Sequence, residues 1–294
     1  MKIPIGLEQL LHDGLIDEVI SPLMSGKEAA VYVVRSGGEI CCAKVYKEAN
    51  HRSFRTHARY REGRKGRDSR QARAIAKRTR HGRQEQEEAW HNAEVDALYR
   101  LAAAGVRVPQ PYACVGGVLL MEMITDVQGN PAPRLSDLEL PHAQARDYHR
   151  TLIAEVVRML CAGIVHGDLS EYNVLVDSHG PVIIDLPQAI DAAGNNHAAT
   201  ILERDVANLA GYFGHFAPEL LATRYGKEMW HLYESGELHP ETQLTGRFQD
   251  SETRADVAGV MDQIDDAREE ADRRQGRAPA AEKPWGRVDT LHAA

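Results

Sequence analysis

The chain has 294 residues, a formal net charge of −8 and 43% hydrophobic residues, which suits one large domain or two lobes with a packed core. The negative charge argues against a protein that binds polyanions over its whole surface. No apolar run reaches about 18 residues, so we expect no membrane span. The N-terminus lacks the apolar stretch of a signal peptide and the four cysteines form no CxxC pair, so we expect a cytoplasmic protein.

The first part of the chain predicts a short helix followed by strands. Leucines at helical spacing in residues 7–13 predict an amphipathic helix. Residues 31–34 and 40–46 are rich in β-branched and apolar side chains, and a Ser-Gly-Gly turn separates them. This pattern is typical of a β-hairpin.

Residues 51–83 differ abruptly from the rest of the chain. They contain 13 lysines and arginines, two acidic residues and few large apolar side chains. Such a segment buries little surface, so we predict a mobile basic loop. Its charge suits RNA or ribosome contact. The alternative is a solvated mobile loop, or a loop that meets an acidic partner such as the acidic C-terminal region of the chain itself.

The remaining elements follow from hydrophobic periodicity and from breaks at glycine and proline. From about residue 240 the chain is polar and acidic, which predicts a partly disordered tail. The predicted elements are a helix at 84–104, a linker at 106–112, a strand at 118–124, a helix at 141–162, a hairpin of 174–176 with 182–184, and helices at 202–213 and 217–234.

The strongest chemical signal is the segment 164–175, which reads IVHGDLSEYNVL. Asp168 and Asn173 lie five residues apart in a loop, so the carboxylate can face a hydroxyl while the amide oxygen turns toward a metal. The following hairpin should return Asp185 beside Asn173. Two hard oxygen ligands over a phosphate suit Mg²⁺. The segment therefore predicts ATP-dependent phosphoryl transfer.

A lysine and a glutamate complete this set. Lys44 lies in the middle of a predicted strand, where a buried ammonium needs a partner. Glu94, on the predicted helix, is the natural partner, with Glu87 or Glu88 as competitors. A pair of this kind holds the lysine against the ATP phosphates.

With these residues in place, the chain resembles the RIO family of atypical protein kinases over roughly residues 7–235. The segment Ser25–Tyr32, with Ser25 and Lys27, is similar to the family's phosphate loop. Asp185-Leu-Pro-Gln-Ala is similar to its metal loop, and residues 51–83 occupy the place of its flexible loop. A short helix in place of a winged-helix domain makes the chain similar to the smaller subfamily.

The resemblance implies roles for most of these residues. Asp168 would be the catalytic aspartate, Asn173 and Asp185 would bind Mg²⁺ or Mn²⁺, and Lys44 would bind the ATP phosphates. The residues implied to meet adenine through the hinge backbone are Glu122 and Ile124.

Known activities of the family add further expectations. Its members can autophosphorylate on serine, and some form an aspartyl-phosphate, which here would be on Asp185. Eukaryotic members act in maturation of the small ribosomal subunit. Expected partners are therefore ATP and a protein substrate that includes the chain itself.

The resemblance implies an α+β, two-lobed protein-kinase-like fold with an antiparallel sheet in the N-lobe and a mostly helical C-lobe. Residues 1–20 would form an N-terminal helical extension and 21–124 the N-lobe, with the flexible basic loop 51–83. Residues 125–238 would form the C-lobe and 239–294 the acidic tail.

The chain departs from ordinary protein kinases at the catalytic loop. Gly167 replaces the usual arginine, and no Ala-Pro-Glu follows between Asp185 and Asp205. We therefore predict no activation-loop switch and a restricted peptide site. Asp205 is either an acceptor for the catalytic-loop backbone or an ordinary aspartate at a helix N-terminus, and the residues leave both open.

Two rival functions remain possible at this level. A small-molecule phosphotransferase of the aminoglycoside or choline kinase kind also carries His-Gly-Asp followed by an asparagine. A non-catalytic module that uses ATP to dock on an RNA assembly is the other. The phosphate-loop and metal-loop segments favour a RIO-type kinase or ATPase over both.

Overall fold

The computed structural model describes residues 3–26, 29–47 and 93–249. The predicted loop at 51–83, the phosphate-loop residue Lys27 and the chain beyond 249 lie outside these residues. One compact unit, Met1–Phe248, contains almost all of the described chain, and a second unit comprises Gln249–Ala294.

The N-lobe is built on a five-stranded antiparallel sheet with the strand order β1-β2-β3-β5-β4. Its first three strands follow each other directly, and the chain adds β5 beside β3 after the described helix at 93–103. The strands are β1 (Glu18–Ser25), β2 (Ala29–Ser36), β3 (Glu39–Tyr46), β4 (Pro111–Val115) and β5 (Val118–Glu122).

The predicted hairpin is present between β2 and β3. Ser36 pairs with Glu39, and the two loop glycines, Gly37 and Gly38, have φ values of 58° and 87°. Two consecutive positive φ angles give the turn whose twist matches that of the flanking strands. This turn fixes the register that places Lys44 opposite Val31.

Helix α1 (Ile5–His12) covers one face of the sheet. Leu7 and Leu10 are 0% and 2% exposed and pack with Val34, Ala43 and Leu120 from three different strands. The leucine spacing in the sequence thus reflects a helix whose apolar side closes the N-lobe core.

The C-lobe is mostly helical and carries two small hairpin-like pairings, β6 with β9 and β7 with β8. None of the described helices combines the length and the apolar character needed to cross a bilayer. The elements are α3 (His142–Cys161), β6 (Ile164–Val165), β7 (Val174–Asp177), β8 (Gly180–Ile183), β9 (Ile190–Asp191), α4 (Ala198–Phe213) and α5 (Tyr225–Glu234), with short 3-10 helices at Leu135–Asp137, Glu171–Asn173 and Pro218–Ala222.

Helix α2, described over residues 93–103, belongs to the N-lobe in sequence but packs with the C-lobe core. Ala97, Leu98 and Leu101 lie in the same buried cluster as many side chains of α3 and α4. Arg100 on this helix also donates to the carbonyl of Ala162 at the end of α3, at 2.7 Å. Helix α2 is therefore held by the C-lobe through apolar and polar contacts.

Two local predictions were wrong. The predicted linker 106–112 includes the start of β4, because Pro111 begins an edge strand, where a missing N–H is tolerated. The predicted helix 217–234 is two elements, since the backbone at Thr223 is extended and its hydroxyl donates to the Leu220 carbonyl at 2.6 Å.

The chain after α5 folds back on that helix. The Glu228 carboxylate accepts from the backbone N–H groups of Thr245 and Gly246, at 2.8 and 2.7 Å. Arg224 donates to the carbonyl of Phe248. The compact unit thus continues past residue 238, where the sequence pattern placed the end of the C-lobe.

His149 is a buried polar side chain in the C-lobe core. It is 2% exposed and lies against the rings of Phe213 and Tyr225, with centroid distances of 5.5 and 5.7 Å. Its Nε2 has no hydrogen-bond partner among the described residues. Burial in this apolar site lowers the pKa of His149 from 6.5 to about 4.

The His149 environment predicts a loss of stability in mild acid. Between the two pKa values the unfolded chain binds a proton that the folded chain does not, so stability falls as the pH falls through that window, by on the order of 3 kcal/mol in total. We expect His149→Leu to lose less stability than the unaltered protein between about pH 7 and about pH 5 in urea denaturation. Equal losses in the two proteins would contradict this assignment.

Candidate active site

Lys44 and Glu94 form the buried ion pair expected from the sequence. Lys44 Nζ lies 2.5 Å from Glu94 Oε1, and the two side chains are 12% and 7% exposed. Burial acts to lower the pKa of the Lys44 ammonium, but the carboxylates of Glu94 and Asp185 outweigh it, so the pKa is raised. Lys44 therefore stays charged in a site that excludes most water.

Asp185 approaches the same ammonium from the C-lobe. Its Oδ1 lies 3.1 Å from Lys44 Nζ, and its side chain is 48% exposed. Asp185 is the one non-glycine residue with positive φ, 66°, in the described chain. Aspartate tolerates this conformation better than most residues, and such strained positions concentrate at functional sites. The backbone turn directs the carboxylate toward Lys44.

The hairpin β7–β8 joins the catalytic and metal loops, as the sequence pattern indicated. Ile184 N donates to the carbonyl of Asn173 at 3.0 Å, and the Asn173 Nδ2 donates to the carbonyl of Asp168 at 2.8 Å. An amide whose nitrogen is held in this way keeps its oxygen for another partner. Asp168 itself is exposed, so its carboxylate can meet a substrate hydroxyl.

These side chains fit a divalent cation that is shared with phosphate. Among the described residues no three His, Cys, Asp or Glu side chains form a metal cluster. The donors present are the Asn173 amide oxygen and the Asp185 carboxylate, both hard oxygen ligands. Two protein donors leave most of an octahedron to waters and phosphates, which is how Mg²⁺ is usually bound with nucleotides. The carboxylates of Glu94 and Asp185 also outnumber the single ammonium of Lys44. The excess negative charge favours a bound cation.

Asp205 and Arg204 hold the backbone of Gly167 from both sides. Gly167 N donates to Asp205 Oδ2 at 2.8 Å, and Arg204 Nη2 donates to the Gly167 carbonyl. Asp205 is 1% exposed and lies inside α4 rather than at its N-terminus. Of the two interpretations of Asp205, the structure supports the backbone acceptor. Burial raises the pKa of Asp205, whereas the nearby His166 and the donors from Gly167 and Arg204 act in the opposite direction.

Gly167 is required by the shape of the catalytic loop. Its φ is +86°, and a Cβ added there would lie 2.2 Å from the carbonyl oxygen of Gln188 in the metal loop. No side chain fits this position while the two loops keep their contact. The arginine of ordinary protein kinases is therefore excluded sterically.

His166 ties the same loop to the metal loop. It is 2% exposed, and its Nε2 lies 3.0 Å from the carbonyl of Ile184. Its Nδ1 lies 3.3 Å from Asp168 N. The histidine thus positions Asp168 relative to the strand end that leads into Asp185.

The implied adenine hinge is well anchored. Glu122 N donates to the carbonyl of Gln110 at 2.8 Å, and the Ile124 carbonyl accepts from Ala132 N at 3.0 Å. Ile124 is 5% exposed. These contacts attach the hinge to the residue that precedes β4 on one side and to the C-lobe loop on the other.

The phosphate-loop segment is held by a lysine that the sequence pattern did not single out. Lys47 Nζ donates to Ser25 Oγ at 2.9 Å and to the Gly26 carbonyl at 2.6 Å. Lys47 follows β3, so the strand that carries Lys44 also anchors this loop. Lys27 lies outside the described residues.

Two further site residues were missed. The Tyr46 ring centroid lies 5.6 Å from Lys44 Nζ, and burial followed by the nearby Glu94 carboxylate raises the pKa of Tyr46. The period of two along β3 puts Tyr46 on the face of Lys44, a signal available in the sequence. Arg204 had no such signal, because its contact with Gly167 spans two distant segments.

The chain between the metal loop and α4 is short. Only residues 186–197 separate Asp185 from the start of α4, and they contain the two-residue strand β9. The Asp191 carboxylate closes the following turn by accepting from the N–H groups of Ala193 and Gly194. This described segment has no room for an activation loop with a peptide-docking extension.

The chain has a protein-kinase-like fold, as its sequence predicted. This fold is defined by the antiparallel sheet, the hinge, the buried Lys44–Glu94 ion pair and the loops of Asp168 and Asp185. The family model of the RIO domain matches residues 30–225. The chain therefore belongs to the RIO family, which confirms the resemblance drawn from its motifs.

Several relatives share most of the described chain. The RIO-type serine/threonine-protein kinase Rio1 of Haloferax volcanii is 36% identical over 211 residues, which cover 70% of this chain and 66% of the relative. The protein of the same name from Methanocaldococcus jannaschii is 30% identical, with coverages of 70% and 67%. Human serine/threonine-protein kinase RIO1 is 30% identical, but the match covers only 37% of its length.

The geometry at Gly167 predicts a severe effect of a single methyl group. We expect Gly167→Ala to separate the catalytic and metal loops and to lower the phosphorylation rate by at least about tenfold, since a strained φ alone costs on the order of 1–3 kcal/mol. The control is Gly211→Ala on α4, where an added Cβ meets nothing within 4 Å. Activity of Gly167→Ala equal to that of the control would show that the loop contact is dispensable.

Proposed function

We propose that this chain is an ATP-dependent serine/threonine protein kinase of RIO type that phosphorylates protein, itself included. The observation that carries the proposal is the convergence of Lys44, Glu94 and Asp185 in one ion cluster beside the loop of Asp168 and Asn173. Family membership and the names of its relatives support the same activity.

In this proposal each residue has a defined role. Lys44, held by Glu94, binds the phosphates of ATP, and the backbone of Glu122 and Ile124 meets adenine. Asn173 and Asp185 hold Mg²⁺ or Mn²⁺, which neutralises phosphate charge when bound.

The transfer itself needs one base. The substrate hydroxyl oxygen forms a bond to the γ-phosphorus as the bond to the ADP oxygen breaks, and Asp168 accepts the hydroxyl proton. Because Asp168 is exposed and its loop is clamped at Gly167, the carboxylate is available without a separate activating step.

RNA or ribosome contact through residues 51–83 and a cytoplasmic location are further parts of the proposal. The contact rests on the 13 lysines and arginines of that segment.

The test is incubation with labelled ATP and Mg²⁺ or Mn²⁺ without added substrate. We expect label on the chain, and we expect Asp168→Ala to bind nucleotide but to lose this label. The matched control is Asp147→Ala, an aspartate on α3 that is 61% exposed and pairs with Arg150. Full activity of Asp168→Ala would contradict its role.

The chemistry of the label and the acceptor separates the alternatives. Label that hydroxylamine removes indicates an acyl phosphate, for which Asp185 is the candidate, whereas resistant label indicates serine or threonine. Transfer only to an added aminoglycoside or choline would favour a small-molecule phosphotransferase. Binding of ATP without release of ADP would favour a non-catalytic module.

A further inference from the structure

Arg107 lies behind the hinge, in the connection between α2 and β4. Its guanidinium contacts the Glu122 carboxylate, with Nη1 3.4 Å from Oε1, and also forms an ion pair with Asp177. Glu122 ends β5 and Asp177 ends β7. One side chain therefore connects the hinge strand of the N-lobe with the hairpin of the C-lobe.

The backbone of Arg107 makes two more connections. Its N–H donates to Glu155 Oε2 on α3 at 2.9 Å, and its carbonyl accepts from Ile183 N at the end of β8 at 2.9 Å. Ile183 lies two residues before Asp185. The backbone of Arg107 is thus anchored to helix α3 and to β8, the strand that leads into the metal loop.

The charges explain why this position needs an arginine. The Asp177 side chain is 7% exposed, and the Glu122 side chain is 29% exposed. The Asp177 carboxylate accepts from the backbone N–H groups of His179 and Gly180 as well as from Arg107, and of these partners the guanidinium supplies the opposite charge. A planar guanidinium can donate to two carboxylates on different elements at once, which a lysine ammonium does less well.

Glu122 also shows how this contact reaches the nucleotide. Its carboxylate accepts from Gln110 N at 3.0 Å, while its own backbone N–H donates to the Gln110 carbonyl. Arg107 therefore contacts the side chain of a residue whose backbone is fixed at the end of the sheet. Without the guanidinium, this carboxylate keeps its hydrogen bond from Gln110 N, but the end of β5 loses its side-chain link to Asp177 of the hairpin.

We propose that Arg107 is a positioning residue that sets the distance between the adenine hinge and the metal-loop hairpin. By setting this distance, Arg107 determines how strongly the site prefers ATP over inorganic tripolyphosphate, which has no base. The inference rests on the proposed function, because it takes the Glu122 backbone as an adenine contact. Arg107 acts through Glu122 and Asp177 and does not itself touch the substrate in this role.

The experiment compares a ligand that spans the two ends of the site with one that does not. Binding of ATP and of inorganic tripolyphosphate, each with Mg²⁺, is measured by calorimetry. The variants are Arg107→Met, Arg107→Lys and the double variant Arg107→Met with Asp177→Asn. In the double variant the buried Asp177 carboxylate is neutralised together with the guanidinium, and the partly exposed Glu122 carboxylate keeps its hydrogen bond from Gln110 N. The control is Arg150→Met, since Arg150 is 79% exposed and pairs only with Asp147 among the described contacts.

We expect Arg107→Met and the double variant to bind ATP about tenfold more weakly and to bind tripolyphosphate within about twofold of the unaltered protein. Arg107→Lys should recover part of the ATP affinity, since it restores the charge but not both contacts. Arg150→Met should change neither affinity. The double variant carries the test if Arg107→Met fails to fold.

Unchanged ATP affinity in a folded Arg107→Met or double variant would overturn the proposal. Equal losses for ATP and tripolyphosphate would also overturn it, because they indicate general damage rather than a lost base contact. Failure of the unaltered chain to bind ATP at all would instead overturn the proposed function, so the two failures are distinguishable.

Discussion

The buried ion pair between Lys44 and Glu94 is the interaction on which the site depends. Two charges with little access to water are stable only when each has the other at close range and the supporting elements cannot separate. The sheet supplies Lys44 and helix α2 supplies Glu94, so the helix must stay docked. Its apolar residues belong to the C-lobe core and Arg100 reaches the end of α3. The pair thereby ties the two lobes together.

The catalytic loop has a comparable constraint of its own. Asp205 and Arg204 on α4 satisfy both backbone polar groups of Gly167, and the close approach of Gln188 leaves no space for a side chain there. In ordinary protein kinases the arginine at this position can form an ion pair with a phosphorylated activation loop. Here the close approach at Gly167, the catalytic loop held by α4 and the docked helix α2 all favour a site that is assembled when the chain folds.

Much of the fold was predictable because its signals are local. The α1 leucines, the Ser-Gly-Gly turn and the periodicity of α3 each report a single element, and all three are present in the structure. Errors arose where neighbouring elements decide the outcome. Pro111 indicates a linker by its composition, yet β5 offers an edge at which a strand can begin. Residues 217–234 have helical composition, yet the extended backbone at Thr223 divides them. Asp205 left two interpretations open until its burial inside α4 was known.

The sequence alone predicted the chemistry of this protein. The types and order of Lys44, Glu94, Asp168, Asn173 and Asp185 indicate phosphoryl transfer, because hard oxygen donors, a cation and a base rarely occur together in this order for another reason. Tertiary structure alone decided how these groups are held. Arg107, Arg204 and Lys47 contact residues that lie far away in the chain, so no spacing rule predicts them. Long-range contacts depend on how the helices and strands pack, and packing is set by the whole core rather than by any one segment.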